Sequence, residues 1–225
     1  MELAEIEVGI SHQTLVELQA VPIDRGRPLI AVDVDEVLVH FVPHLDRYIR
    51  TLGFEMRLVR YELEGSMFPI GSDDPLPFDE CIGLINKFFE AETLNQEAVE
   101  GGGGALERMA AWAQIVILTN VPRHATAARR QNLNELGMPY PLVVNSGGKG
   151  RAMAWMAAKA GAPCGFVDDS VKQLESVAKH VPACCRLHYA GADFIARIFP
   201  ECEFATEQVR DWAAAEEALK RVLSV

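Results

Sequence analysis

The chain has 225 residues, 49% hydrophobic and 24% charged, with 32 acidic residues against 21 basic and a formal net charge of −11. That length predicts one domain, or one core with an insert, and the composition allows a full core and argues against wholesale disorder. The acidic balance has the wrong sign for a sequence-independent nucleic-acid binder or an anionic-membrane binder, and no apolar run approaches the ~20 residues of a membrane span.

The first residues, Met1-Glu2-Leu3-Ala4-Glu5, are acidic rather than basic, which argues against a secretory signal. Residues 1–28 read as an N-terminal extension of no evident shape. An apolar run at 29–34 predicts a buried strand. The stretch 39–110 breaks the strand–helix rhythm, being about twice the roughly 30 residues of a plain crossover unit. It has a helical start at 44–52, a Gly/Ser/Asp/Pro-rich middle at 65–77 and a second helix at 78–91. Residues 41–104 therefore read as an inserted, mainly helical cap, and 29–40 with 105–225 as the core. The run Gly101-Gly102-Gly103-Gly104 predicts a turn or hinge at the re-entry, because a helix interior of glycines is entropically costly.

Beyond it, strands are predicted at 115–118, 142–144, 165–167 and 185–189. Helices are predicted at 122–136, stopping at Gly137, and at 151–160, stopping at Gly161. Others follow at 170–179, with Asp169 or Ser170 as N-cap, and at 212–223. This alternation predicts an α/β fold: a doubly wound, Rossmann-like core with a mostly parallel sheet covered on both faces. The five cysteines (81, 164, 184, 185 and 202) are an odd number with no CxxC pair, and read as reduced thiols of a cytoplasmic protein.

Parallel strands present functional residues at their carboxyl ends. The first run ends in Asp33-Val34-Asp35, the second in Thr119-Asn120, the fourth in Asp168-Asp169, and Lys149 follows the third. Two residues apart on a strand, the carboxylates of Asp33 and Asp35 start on one face. Four converging acids repel one another unless a cation is present, and hard oxygen ligands point to Mg²⁺. Lys149 supplies charge for an anionic intermediate, and the Thr119 hydroxyl can hold phosphate oxygens.

Taken in order, these motifs resemble the haloacid dehalogenase-like (HAD) superfamily. Residues 29–35 look like its first motif, 115–120 its second, Lys149 at a helix start its third, and 165–169 its fourth. The resemblance implies that Asp33 is the nucleophile forming an aspartyl-phosphate. Asp35 is implied as general acid and then base. Thr119, Asn120 and Lys149 would hold the phosphoryl group. Asp33, Asp35 through its carbonyl oxygen, Asp168 and Asp169 would hold Mg²⁺. Glu36-Val37 departs from the commoner Gly-Thr, and Asp33-Val34-Asp35-Glu36-Val37-Leu38 followed by Phe41 resembles the 5′(3′)-deoxyribonucleotidases. An insert between the first two motifs is the position of the C1-type cap.

The expected function is Mg²⁺-dependent hydrolysis of a small phosphomonoester, with a nucleoside monophosphate as first choice. No nucleic-acid polymer or membrane partner is expected. The alternatives are a phosphotransferase or phosphomutase with the same aspartyl-phosphate, or a non-catalytic binding protein. Gly147-Gly148-Lys149-Gly150 lacks P-loop spacing, and His40 with His44 lacks a third zinc ligand. Phe41, His44, Tyr48, Arg57, Arg60, Tyr61, Met67 and Phe68 are candidate cap contacts to substrate or simple cap packing. Arg123 and His124 are candidates near the site by chain position.

Overall fold

A computed structural model describes residues 3–60, 63–191, 198 and 201–223. In chain order they form α1 (Leu3–Glu7), α2 (His12–Ala20), β1 (Leu29–Val32), α3 (Val42–Thr51), β2 (Phe54–Met56), β3 (Met67–Pro69) and α4 (Phe78–Glu92). There follow α5 (Gly102–Ala110), β4 (Gln114–Thr119), α6 (Thr126–Glu135), β5 (Leu142–Val144), α7 (Gly150–Ala160), β6 (Cys164–Asp168), α8 (Val171–His180), β7 (Cys185–Tyr189), β8 (Glu207–Val209) and α9 (Trp212–Leu223). Tyr61 lies outside the described residues.

Every residue of β1 and β4 is buried, as strands flanked by neighbours and covered on both faces require. The sheet runs β5-β4-β1-β6-β7-β8, and every neighbouring pair is parallel. This is the α/β, Rossmann-like core that the strand–helix alternation predicts. One apolar layer gathers Ile30, Val32, Ile117 and Trp212, and the other Leu29, Ala31, Phe166 and Trp155, on opposite sheet faces. Between β1 and β4 the chain leaves the sheet to form α3, α4 and a two-stranded antiparallel sheet of β2 and β3.

The glycine run behaves differently from expectation. Gly101 takes a left-handed φ of 82°, but Gly102–Gly104 open α5 rather than forming a hinge. A Cβ on Gly102 would meet Trp212 Nε1 at 3.1 Å, so the close approach of α9 accounts for at least that glycine. The N-terminal extension is two helices. On α2, Glu17 accepts the Val144 N–H at 2.6 Å and Thr14 donates to the Val144 carbonyl at 2.9 Å. These bonds cover the backbone of β5, an edge strand of the sheet.

α7 and α8 cross at Gly150, where a Cβ would lie 2.0 Å from the Ser176 carbonyl oxygen and 2.6 Å from His180 Nδ1. Backbone cannot swing aside as a side chain can, so the two helices would have to separate. Gly150→Ala is expected to cost about 3 kcal/mol, the upper part of the overpacking range. Urea unfolding measures it, and a cost under about 0.5 kcal/mol would show that the helices are not fixed at this contact.

Candidate active site

The chain winds from β1 out to β4 and β5, then returns to β6 on the other side of β1. Winding reverses between β1 and β6, and such a reversal opens a crevice at the carboxyl ends of the strands. Val32 pairs with Val167, and the next step brings Asp33 beside Asp168; the Asp33 N–H donates to the Val167 carbonyl at 2.9 Å. Lys149, the residue before α7, is 2% exposed. Its Nζ lies 2.6 Å from Asp33 Oδ1 and 2.7 Å from Asp168 Oδ2. Burial opposes the ammonium, but Asp168 and Asp33 outweigh it and hold its pKa above the usual lysine range.

Asp33, Asp168 and Asp169 each offer a carboxylate oxygen within 4.8 Å of the others. Three carboxylates against one ammonium leave two negative charges. Burial pushes Asp168 up to about 7, with Asp33 adding to the rise and Lys149 opposing it. A divalent cation is the group that would keep all three acids ionised. An all-oxygen set of this size suits Mg²⁺. Asp168 Oδ1 also accepts the Ser170 N–H at 2.8 Å. Ser170 is the N-cap residue of α8, as expected, with extended backbone and no side-chain cap hydrogen bond. His188 Nε2 lies 3.0 Å from the Asp169 carbonyl, and burial pulls this imidazole down to about 4, so it is neutral and donates.

Asp35 does not join this group, which corrects the expectation of four converging carboxylates. β1 ends at Val32, so Asp33 and Asp35 no longer share a strand face, and the chain turns back at once as Val37, Leu38 and Val39 donate to the Val34 carbonyl. Asp35 Oδ1 lies 2.7 Å from Arg129 Nη2 and 3.4 Å from Gln96 Nε2. Burial raises the Asp35 pKa, and Arg129 opposes that rise. Sequence reasoning missed Arg129 and Gln96, since nothing local marks an arginine in a polar helix as buried.

Thr119 ends β4 fully buried, and its hydroxyl accepts the Val121 N–H at 3.2 Å, leaving its proton to donate. The Asn120 side chain is exposed and donates to the Gly147 carbonyl at 2.8 Å. Asn145 donates to Asn120 Oδ1 and to the same carbonyl, each at 3.1 Å. Gln173 accepts the Lys149 N–H at 2.8 Å. These amides fix the loop that carries Lys149, and none of them except Asn120 was anticipated.

Comparison with solved structures decides the fold. A HAD family hydrolase from Deinococcus radiodurans R1, with bound phosphate and sodium, matches with a TM-score of 0.59 at 16% identity, over 88% of this chain and 97% of that one. A haloacid dehalogenase-like protein of unknown function from Agrobacterium tumefaciens matches at 0.60 and 15%, over 87% and 99%. A candidate HAD-hydrolase from Bacillus subtilis bound to magnesium matches at 0.56 and 13%, over 90% and 100%. The chain has the haloacid dehalogenase-like fold. No protein-family model and no curated protein matches the sequence.

Within this HAD fold, Glu36 stands where a left-handed backbone is required, with φ of 62°. Glycine suits such a site, and a glutamate there is strained. The side chain offsets that strain: Oε1 accepts the N–H groups of Phe41 at 2.8 Å and Val42 at 2.5 Å, at the start of α3. Burial pushes the Glu36 carboxyl up to about 7, against the lowering by Val42 and Phe41. A carboxyl with a raised folded pKa stabilises the fold while protonated. That contribution is complete below the ordinary value of 4.5 and is lost as pH rises through 7. Glu36→Gln keeps the accepting oxygen and drops the charge. In metal-free buffer its stability relative to wild type is expected to rise by up to about 3 kcal/mol between pH 4.5 and pH 8. Urea unfolding across that range measures the difference, and a flat profile would refute a charged, buried Glu36.

Most of the aromatic residues between β1 and β4 pack on one another. Phe41, His44 and Tyr48 all contact Phe88 with ring centroids 5.3–5.8 Å apart, and Met67 is fully buried. His44 pairs with Glu92 at 3.0 Å. Arg57 pairs with Glu55 at 2.7 Å and Asp73 at 3.2 Å and lies over Phe68. Arg60 is exposed, beside a cavity of about 470 Å³. Arg123 turns to the N-terminal extension, 2.5 Å from Glu17 and from the Val144 carbonyl. His124 is exposed.

Proposed function

We propose that this protein is a Mg²⁺-dependent phosphohydrolase of a small phosphomonoester, working through an aspartyl-phosphate on Asp33. The observation that carries the reading is the buried contact of Lys149 with both Asp33 and Asp168, at 2.6 and 2.7 Å, beside Asp169. Three clustered carboxylates, two of them in contact with a buried ammonium, are costly to a mere scaffold and useful to a site that handles an anion. Asp33, the Asp35 carbonyl oxygen, Asp168 and Asp169 would hold Mg²⁺, which when bound supplies positive charge for the phosphoryl oxygens.

The chain's own residues divide the remaining work. An Asp33 carboxylate oxygen attacks phosphorus, and the ester P–O bond breaks. Asp35 gives its proton to the departing oxygen, so the alcohol leaves neutral. Asp35 then takes a proton from water as that water attacks the phosphoryl group. The P–O bond to Asp33 breaks, and Asp33 and inorganic phosphate are regenerated. Lys149 neutralises Asp33 before attack and the phosphoryl oxygens during it. The Thr119 hydroxyl and Asn120 orient those oxygens.

The segment between β1 and β4 acts as a helical cap of C1 type over residues 41–104, and chooses the leaving group. A nucleoside monophosphate is the first substrate class to try, on the wording around Asp35 and Glu36. Five free cysteines suit a reducing, cytoplasmic setting. The deciding experiment is phosphate release from nucleoside monophosphates, sugar phosphates and an aryl phosphate, in Mg²⁺ and in EDTA. Release that needs Mg²⁺ is the expected result. No release from any member of the panel would overturn the hydrolase reading and favour phosphotransfer to an acceptor.

A further inference from the structure

Arg129 is fully buried on α6, outside the motifs, and its contacts converge on the site. One nitrogen, Nη2, reaches Asp35 Oδ1 at 2.7 Å and Gln96 Oε1 at 2.6 Å. Nη1 reaches Asn132 Oδ1 at 3.2 Å, and Asn132 donates in turn to the carbonyls of Leu94 and Gln96. Gln96 donates to the His40 carbonyl at 3.1 Å. His40 and Gln96 lie where the chain leaves for the cap and returns, and those two passes are joined by the His40 N–H to Glu97 and the Val99 N–H to Leu38.

We propose that Arg129 is a positioning residue that anchors Asp35 by Oδ1 alone. It thereby presents Oδ2 to the reacting oxygen and ties that orientation to the returning cap linker through Gln96. The inference rests on the phosphohydrolase reading and adds a residue to it.

Three observations support it. A guanidinium stays charged at any working pH, and the acid that the buried Arg129 touches is Asp35. Oδ1 accepts from Arg129 whether or not Asp35 holds its proton, and the guanidinium balances the carboxylate once that proton has gone to the leaving oxygen. The ion pair is closed on one side only: the Arg129 side chain is 0% exposed, whereas that of Asp35 is 22% exposed. Both side-chain contacts to Asp35 fall on the same oxygen. Arg129 also leaves its Nε buried without a hydrogen-bond partner while Nη2 serves two acceptors. Its placement therefore follows Asp35 and Gln96 rather than completion of its own hydrogen bonds. Reactions of this kind lose on the order of 100-fold when a catalytic group is misplaced by about 1 Å.

The test is a double-mutant cycle of Arg129→Met with Asp35→Asn, with Arg129→Lys and Gln96→Leu as milder variants should Arg129→Met fold poorly. Arg129→Met is expected to lower kcat about 100-fold with KM changed less than about 3-fold. In the Asp35→Asn background the same substitution is expected to cost less than about 3-fold, because the group it positions is gone. Arg129→Lys, which keeps the charge, is expected to recover part of the loss. An undiminished loss in the Asp35→Asn background, or a loss confined to KM, overturns the proposal. Crystal structures of wild type and the Arg129 variants add an arm that needs no turnover. A rotated Asp35 carboxylate supports the proposal, and an unmoved one overturns it. If the wild type releases no phosphate, the hydrolase reading fails by itself and the structures alone decide the role of Arg129.

Discussion

Asp33→Asn is expected to lower phosphate release on the order of 10⁴-fold or more while leaving the chain folded. The amide is no nucleophile, so covalent transfer stops, and what survives is the weak effect of binding and charge. The fold should survive because asparagine keeps the shape and can still accept the Lys149 ammonium, 2.6 Å from Asp33 Oδ1. It also removes one of three clustered carboxylates, two of which contact the Lys149 ammonium, easing their repulsion. The melting temperature in EDTA should therefore change little. The rise in melting temperature on adding Mg²⁺ should shrink, since two carboxylates rather than three would hold the ion. Phosphate release and melting with and without Mg²⁺ read the two effects separately. Residual activity above about 1% would remove Asp33 from its role as nucleophile. An unchanged Mg²⁺ response would remove it from the metal set.

The parts of the site that could be read in the sequence are those carried by strand ends. β1, β4, β5, β6 and β7 are apolar runs with a polar residue at or near the end, and period and burial mark them without tertiary information. Asp33, Thr119, Lys149 and Asp168 follow from that pattern. What could not be read depends on long-range contact. Arg129 sits in a helix of polar composition, and its burial exists only because Asp35, Gln96 and Asn132 surround it. The short β8 was missed because Glu207, Gln208 and Val209 carry no apolar run. α2 was missed because its apolar residues do not gather on one face, Val16 being exposed while Thr14 is buried, although Ser11 accepts the Thr14 N–H as an N-cap should. The glycine run was misjudged from local cost alone. The contact of Gly102 with Trp212 lies more than a hundred residues away in sequence.

Lys149→Met tests the electrostatics of the same site from the other side, and its effect on stability should be the larger. Methionine matches the length of the lysine stem but leaves Asp33 and Asp168 without their buried cation. Removing one partner from such a pair leaves uncompensated buried charge and costs about 3–5 kcal/mol. Protonation can relieve part of this. Burial already holds Asp168 near 7, well above its ordinary 3.8. Without Lys149, whose charge now lowers it, that carboxyl should hold its proton to still higher pH. A carboxyl with a raised folded pKa destabilises the fold as it ionises, so the penalty should grow from pH 5 to pH 8. Mg²⁺ should recover part of the stability, because it supplies the missing charge to the same three acids. Catalysis should not recover with it, since no ammonium remains to neutralise Asp33 as it approaches an anionic phosphate, and a loss on the order of 10³-fold or more is expected. Urea unfolding at pH 5 and pH 8, with EDTA and with Mg²⁺, resolves these contributions. A Lys149→Met protein as stable as wild type at pH 8 in EDTA would mean that the three carboxylates are not charged together in the folded chain, and the case for a cation among them would fall.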